Sequence, residues 1–431
     1  MNKARLLFGI SVFWLALSML FDGLNTLVLP SYLLGTADEA TRATTLGLMT
    51  FAGLLLGMLV QPVAGALSDR LRPRWGRRGM IALGLLLTLA ALGIFGAARG
   101  LALIFVGYLL VQGAASVAQA AQQGFIPDLV PPHQRGTAAG LKGFMDLAGA
   151  ILGFAVLGAL LQEQSAGPAL LAVAGVLVVT AVLTLTLVRE PRGPAQAAPA
   201  RVTLADAFRI DVRQHRTFVQ LVAARFLFLL GTYAVGRFLL YFVADRLRLD
   251  PESAAETAGG LLAGLALLTA LGGLAAGWAA DRFGRMPLML LGVLLSTAGI
   301  LLLALASSAA LIFVFGSLMA LGSAAFASAN WALTADVTPE GEGARFFGLA
   351  NIGTAGAAAA AGLLGPVVDW GNASSPETGY TALFMVAGLA CAASALALRG
   401  IAMPRALPPD QPRGRVSPAV ANERTSDADP A

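Results

Sequence analysis

The chain has one cysteine, two histidines and two lysines in 431 residues, and only 12% of its residues are charged. Each shortage excludes something. The lone thiol, Cys391, lies in an apolar run, so neither an intrachain disulfide nor a cysteine-based metal site can form. Both histidines, His133 and His215, stand in polar stretches between apolar runs, which rules out a histidine relay through those runs. An enzyme embedded in a membrane would need clustered His, Cys or paired carboxylates there, and none are present, so the chain reads as no enzyme and as needing no metal or cofactor. There is no Gly-x-x-x-x-Gly-Lys loop to drive a pump with ATP. Alternating β-branched and aromatic segments are few, against a membrane barrel.

What is present is apolar length. Hydrophobic residues make up 57% of the chain and mean hydropathy is +0.76, where a soluble domain carries about 25% charge. The apolar runs are roughly 18 to 25 residues long, enough for a helix to cross about 30 Å of hydrocarbon. Twelve spans follow, at 7–30, 43–67, 79–98, 101–125, 139–161, 168–188, 218–243, 256–279, 286–306, 309–334, 346–368 and 379–398. The expectation is an all-α membrane protein. A six-helix bundle over 1–188, a central loop over 189–217, a second bundle over 218–398 and a disordered, proline-rich tail over 399–431 make it up. The N-terminal apolar stretch reads as the first span, not as a cleaved leader.

Basic residues set the orientation. Five arginines stand between Arg70 and Arg78, six between Arg189 and Arg216 and five in the tail, whereas the opposite loops hold four, Arg42, Arg99, Arg246 and Arg248. Both termini are therefore expected in the cytoplasm. The net charge of +5 punctuates spans and does not gather on a soluble face, so no nucleic-acid partner is expected. Arginine outnumbers lysine 27 to 2, a composition of GC-rich genomes that points to a bacterial inner membrane. Asn372-Ala-Ser374 fits a glycosylation sequon by pattern alone.

The two halves repeat. Leu103–Val106 matches Leu311–Val314, and Asp128, Pro131 and Gly140 match Asp336, Pro339 and Gly348, all 208 residues apart. Asp69-Arg70 matches Asp281-Arg282 at an offset of 212. Parallel six-span repeats are a transporter architecture with the substrate site near midplane between the repeats.

The stretch Gly65-Ala-Leu-Ser-Asp69-Arg70…Gly76-Arg77-Arg78 and its second copy, Gly277…Asp281-Arg282-Phe283-Gly284-Arg285, resemble the signature loop of the major facilitator superfamily. The four extra residues of the first copy, Pro127-Asp128-Leu129-Val130-Pro131 and Phe21-Asp22-Gly23-Leu24-Asn25 resemble the sucrose-type and glycoside–pentoside–hexuronide sugar symporters. Against that, Gly79-Met80 stands where those proteins often have proline. The resemblance implies a cavity lined by spans 1, 4, 7 and 10 and an inner gate at the signature loops. Gly65 would let span 2 approach a neighbour, and Asp69 would sit by a helix N-terminus. Arg70, Arg77, Arg78, Asp281, Arg282 and Arg285 would form an ionic latch on the cytoplasmic face. The plainer reading is that these arginines, Arg72 and Arg74 among them, only set topology and bind headgroups.

Charge inside a span is expensive and points to function. Asp22 lies about 24 Å along span 1 and Arg237 about 28 Å along span 7, which runs the same way. Asp22 is expected to couple to protons and, with Arg237, to form an outer gate; the alternatives are a pair that serves folding, or an Arg237 that snorkels. Lys142 and Asp146 have the spacing of a local ion pair. Arg225, about 10 Å into span 7, is a candidate for a substrate anion or hydroxyl, or a structural tie. Gln112, Ser116, Gln119 and Gln123 share one helix face, either lining a hydrated cavity or bonding between helices. Asn25, Tyr233, Asn330 and Trp331 complete the candidate substrate site, Trp331 being equally suited to anchor at an interface. The reading is a monomeric secondary transporter moving a small polar solute, a sugar, by proton (or sodium) symport. Efflux of amphipathic compounds is the alternative, and the polar stripe on span 4 favours the first.

Overall fold

The computed structural model describes residues 3–131, 135–161, 166–190, 212–337, 343–375 and 377–401, with some side chains inside helices, Asp69, Arg70, Arg72 and Asp281 among them, outside the description. Among these residues eleven helices are long and apolar enough to cross a membrane. In chain order they are α1 (Ala4–Thr36), α2 (Glu39–Gly65), α3 (Arg74–Ala97), α4 (Leu101–Gln123), α5 (Gly140–Leu160), α6 (Gly167–Leu187), α7 (Arg216–Leu247), α8 (Pro251–Ala280), α9 (Arg285–Leu303), α10 (Ala309–Thr334) and α12 (Thr378–Ala397). The segment between the last two, α11, is a pair of helices in series, Gly343–Gly362 and Gly365–Ser374. Pro366 explains its break: the ring lacks an N–H and disfavours helix at the residue before it. Eleven of the twelve expected spans are present as single helices, and the expected unbroken helix over 346–368 is a pair of helices in series.

Several helices outrun their apolar windows. α1 reaches Thr36 and α7 reaches Leu247; at the end of α7 the charged Asp245 and Arg246 find partners in Arg42 and Glu377. Asp250 starts α8 by accepting the N–H groups of Ser253 and Glu252, both at 3.1 Å. The Ser253 bond is the main reason its carboxyl is held below the usual carboxylate range. Within α1, residues Leu24–Val28 form a π turn, a wide turn often found at functional sites.

α1 and α7, equivalent in the repeat, are the most buried spans, at 61% each against 28% for α5 and 29% for α8. They form the inner wall of their halves. Phe228 of α7 stacks on Phe326 of α10, with ring centroids 3.9 Å apart. Large apolar residues such as Val63, Leu171, Leu294 and Trp370 lie mostly exposed around the bundle. In water so much apolar surface would mark a binding face; on this bundle it suits hydrocarbon.

The repeat is visible in backbone detail. At the start of α3 the backbone breaks at Gly76 (φ 66°, ψ 172°), and between α8 and α9 at Gly284 (φ 91°, ψ 151°). These positions are 208 residues apart, and only glycine adopts that conformation without strain.

Candidate functional site

The arginine after each glycine reaches the end of the next helix but one. Arg77 Nε donates to Asp128 at 2.5 Å, and Arg285 pairs with Asp336 and also donates to the Ala332 carbonyl at 3.1 Å. Both pairs obey the 208-residue offset. Each clasps the start of α3 or α9 to the end of α4 or α10 within its own half. Glu190, just past α6, accepts the N–H groups of Arg77 (2.9 Å) and Arg78 (2.8 Å). An anion thus meets two orphan donors and the positive helix end. The role expected of Asp69, a carboxylate at a helix N-terminus, is filled here by Glu190. The Asp69, Arg70, Arg72 and Asp281 side chains lie outside the described residues. Arg282 is exposed, 5.4 Å from the Trp278 ring. Gly65 serves no close approach among the described residues: none of their atoms outside its own helix lies within 4 Å of where its Cβ would be.

The end of the bundle remote from this loop is closed across the two halves. Arg42 at the start of α2 pairs with Asp245 of α7 at 2.9 Å and lies 4.5 Å from the Tyr241 ring. Tyr380 donates to the same Asp245. Asp369 of α11 accepts the N–H groups of Ala43 (3.0 Å) and Thr44 (2.6 Å), at the N-terminus of α2. Gly158 of α5 meets Gly259 of α8 backbone to backbone, and α2 crosses α11 at Gly47 and Gly362 in the same way. At the arginine-loop end, no described atom outside their own helices lies within 4 Å of where a Cβ would stand on Gly65, Gly140, Gly143, Gly273 or Gly277. Among the described residues, the close contacts between halves named above therefore gather at the end remote from the arginine loop.

Between the ends lie the charged residues. Asp22 accepts from Ser18 Oγ at 2.6 Å. Arg237 donates to the Asn25 carbonyl at 3.4 Å, and its buried Nε has no partner among the described residues. The direct Asp22–Arg237 pair that equal depth suggested is not formed, because depth does not set rotation about the helix axis. Asp22, Tyr233 and Arg237 remain within electrostatic range of one another. All three are surrounded by protein yet partly accessible, as expected of side chains that line an internal cavity.

The polar stripe of α4 splits into interhelical ties. Gln112 Nε2 donates to Asn25 Oδ1 at 2.9 Å and to Tyr108 Oη at 2.7 Å, and Tyr108 Oη donates to Asn25 Oδ1 at 2.7 Å. This triad is buried. Gln119 accepts from Gln61 Nε2 of α2 at 2.7 Å, and Gln123 is exposed. Gln122, off the expected face, donates to the Ile10 carbonyl at 2.7 Å. Of the two roles foreseen for these amides, bonding between helices is the one these distances describe. Lys142 and Asp146 form the expected local pair at 2.6 Å, with Lys142 Nζ 3.8 Å from the Trp14 ring.

Three candidates chosen for separate reasons meet at Arg225. Its Nε donates to Thr354 Oγ1 at 2.9 Å, its Nη1 to Asn330 Oδ1 at 3.3 Å, and its guanidinium lies 3.8 Å from the Trp331 ring. Asn330 also donates to the Leu221 carbonyl at 3.3 Å. The cluster joins α7, α10 and α11. Thr354, Asp245, Asp369 and Glu190 escaped the sequence reading. The 208-residue offset could have assigned Asp128 and Asp336 to one role; nothing local marks Asp369 or Glu190.

The sequence model of the Major Facilitator Superfamily matches residues 6–268 and 221–426. Among solved structures, the nucleoside transporter NupG superposes with a TM-score of 0.71 at 15% identity, over 93% of this chain and 99% of its own. A D-xylose–proton symporter gives 0.69 at 17%, over 93% and 98%. A bacterial homolog of the human lysosomal transporter Spinster, inward-facing and unoccupied, gives 0.64 at 16%, over 92% and 95%. No curated protein sequence matches. The family match spans both halves, and the halves share the glycine break and the arginine–aspartate clasp at one offset: the chain belongs to the major facilitator superfamily.

Proposed function

We propose that the chain is a secondary active transporter that moves a small polar solute, a sugar or a related compound, by proton symport. It does so from a bacterial inner membrane, as a monomer with both termini in the cytoplasm. The observation that carries this reading is Asp22: a carboxylate in the interior, partly accessible, bonded only to Ser18 among the described residues, with Tyr233 and Arg237 nearby. Such a group exchanges a proton with whichever side the cavity faces. Its charge acts on Arg237, whose contact with Asn25 links α7 to the π turn of α1. Protonation of Asp22 weakens the hold on Arg237, so the proton biases how the halves meet. The contacts that close the far end support reading this conformer as inward-facing. The Arg42–Asp245 pair and the Asp369 contacts serve as the outer gate. The arginine–aspartate clasps keep each half rigid while it rocks. Arg70, Asp69, Asp281 and Arg282 retain the proposed inner latch, to be formed when the loop end closes.

The test is pH inside proteoliposomes after mono- and disaccharides are added outside, for the native protein and Asp22→Asn. Inward proton movement with one solute, lost in Asp22→Asn, is the expected result. Proton movement that survives Asp22→Asn removes Asp22 from coupling. Outward proton-driven extrusion of amphipathic cations, with no response to polar solutes, would establish efflux instead.

A further inference from the structure

The charges between the two ends of the bundle do not balance. The carboxylates there are Asp22 and Asp146, and the cations are Lys142, Arg225 and Arg237. Asp146 is taken by Lys142 at 2.6 Å. Asp22 faces Arg237 across electrostatic range. That leaves Arg225, which is 8% exposed. Its described partners are a hydroxyl, an amide oxygen and an indole face, with no carboxylate among them. A buried guanidinium without a counter-anion is costly, and a family of neutral ligands gives no reason to bear that cost.

We propose that the missing anion is the cargo: a polar solute with a single carboxylate, bound edge-on at Arg225 between Asn330, Thr354 and Trp331. The inference rests on the transport reading and narrows its solute class. A guanidinium has five N–H donors. Two are used by Thr354 and Asn330, so Nη1 and Nη2 keep donors for the two oxygens of a carboxylate, the bidentate geometry arginine favours. Trp331 covers one face of the guanidinium at 3.8 Å, so the ligand must approach the edge. The ring is itself 38% exposed and offers apolar surface beside the fork. Charge selects among anions. One positive charge is unmatched, so one carboxylate balances it, a phosphate monoester with nearly two negative charges overshoots, and a neutral sugar leaves it unfilled. Arg225 lies toward the arginine-loop end of α7, about 18 Å along the helix from Arg237, so cargo and proton occupy separate stations on one helix.

The test uses purified full-length protein and ligands matched in carbon skeleton: D-gluconate, D-galacturonate and L-lactate, each beside its neutral counterpart (D-glucose, D-galactose, 1,2-propanediol), with glucose 6-phosphate as the dianion. Thermal unfolding reads binding without requiring transport. At least one monocarboxylate should stabilise the native protein well above its neutral partner. Arg225→Gln should weaken that ligand about tenfold or more. Arg225→Lys, which keeps the charge and loses the fork, should fall between, and it supplies the reading if Arg225→Gln does not fold. Equal stabilisation by acid and neutral partner, tighter binding of glucose 6-phosphate, or affinity unchanged in a folded Arg225→Gln each overturns the proposal. A neutral sugar that moves protons through Asp22 would keep the transport reading and sink this one. A carboxylate bound through Arg225 with no proton movement would do the reverse.

Discussion

Adding one methyl group at Gly158 should turn the transporter around. Gly158 and Gly259 hold α5 and α8, from opposite halves, in backbone contact at the closed end. A Cβ on Gly158 would stand 2.8 Å from Gly259 Cα and 3.1 Å from the Ala255 carbonyl oxygen, and one on Gly259 would stand 2.6 Å from the Phe154 carbonyl oxygen. Ordinary contact begins near 3.4 Å, so each alanine demands roughly 0.6–0.8 Å of separation between atoms that cannot rotate aside. Overpacking of this kind costs roughly 1–3 kcal/mol. The cost falls on the conformer closed at this end and not on one in which the two helices part. The ratio of the two conformers should move roughly 5- to 150-fold. The lone cysteine makes the assay simple. With Cys391 replaced by alanine, a cysteine placed at Gly65 reports the loop end and one at Ser31 the far end. In Gly158→Ala, maleimide labelling should slow at position 65 and quicken at position 31. If both rates stay unchanged in protein that melts normally, the glycine seam is not the closing surface and the reasoning fails.

Asp245→Asn removes the negative charge that pairs with Arg42 and accepts from Tyr380; labelling at position 31 should quicken, and exchanging the pair as Arg42→Asp with Asp245→Arg should restore part of the native rate. Glu190→Gln strips the anion from the start of α3. It should cost about 1 kcal/mol, read as a lower melting temperature in detergent, with Gly65 labelling unaffected because the contact lies within one half.

The span pattern was legible because hydrocarbon demands long apolar runs, and the repeat because both copies keep the same glycine, arginine and aspartate. Arg225, Asn330 and Trp331 could each be singled out as polar or aromatic residues in a span, though nothing in the sequence says that they touch. The pairing of Asp22 with Arg237 shows where such reasoning stops. Rise per residue gives depth, but azimuth depends on how many residues the chain winds into a turn, and Leu24–Val28 departs from α geometry. Asp245, Asp369 and Glu190 were hidden for another reason. Asp245 and Glu190 stand at or just past helix ends and Asp369 in the short second helix of α11, where an apolar window has already closed, and their partners are residues or N–H groups 112 to 326 positions away.

The π turn also acts as an index mark. One residue more per turn rotates everything beyond it by roughly 100° relative to an unbroken α-helix. Leu29–Thr36 is the part so rotated, and Tyr32 lies there with its ring centroid 5.0 Å from that of Phe95. Asn25, inside the turn, presents its carbonyl to Arg237 and its amide oxygen to Gln112 and Tyr108. The length of the segment from 24 to 28 is therefore under a constraint of its own, beside the one that Asn25's bonds to Gln112 and Tyr108 place on its composition. Apart from Asn25, residues of similar size and polarity can be exchanged within it, but a single deletion would put Tyr32 out of phase with Phe95 and leave the two parts of the same helix in different frames.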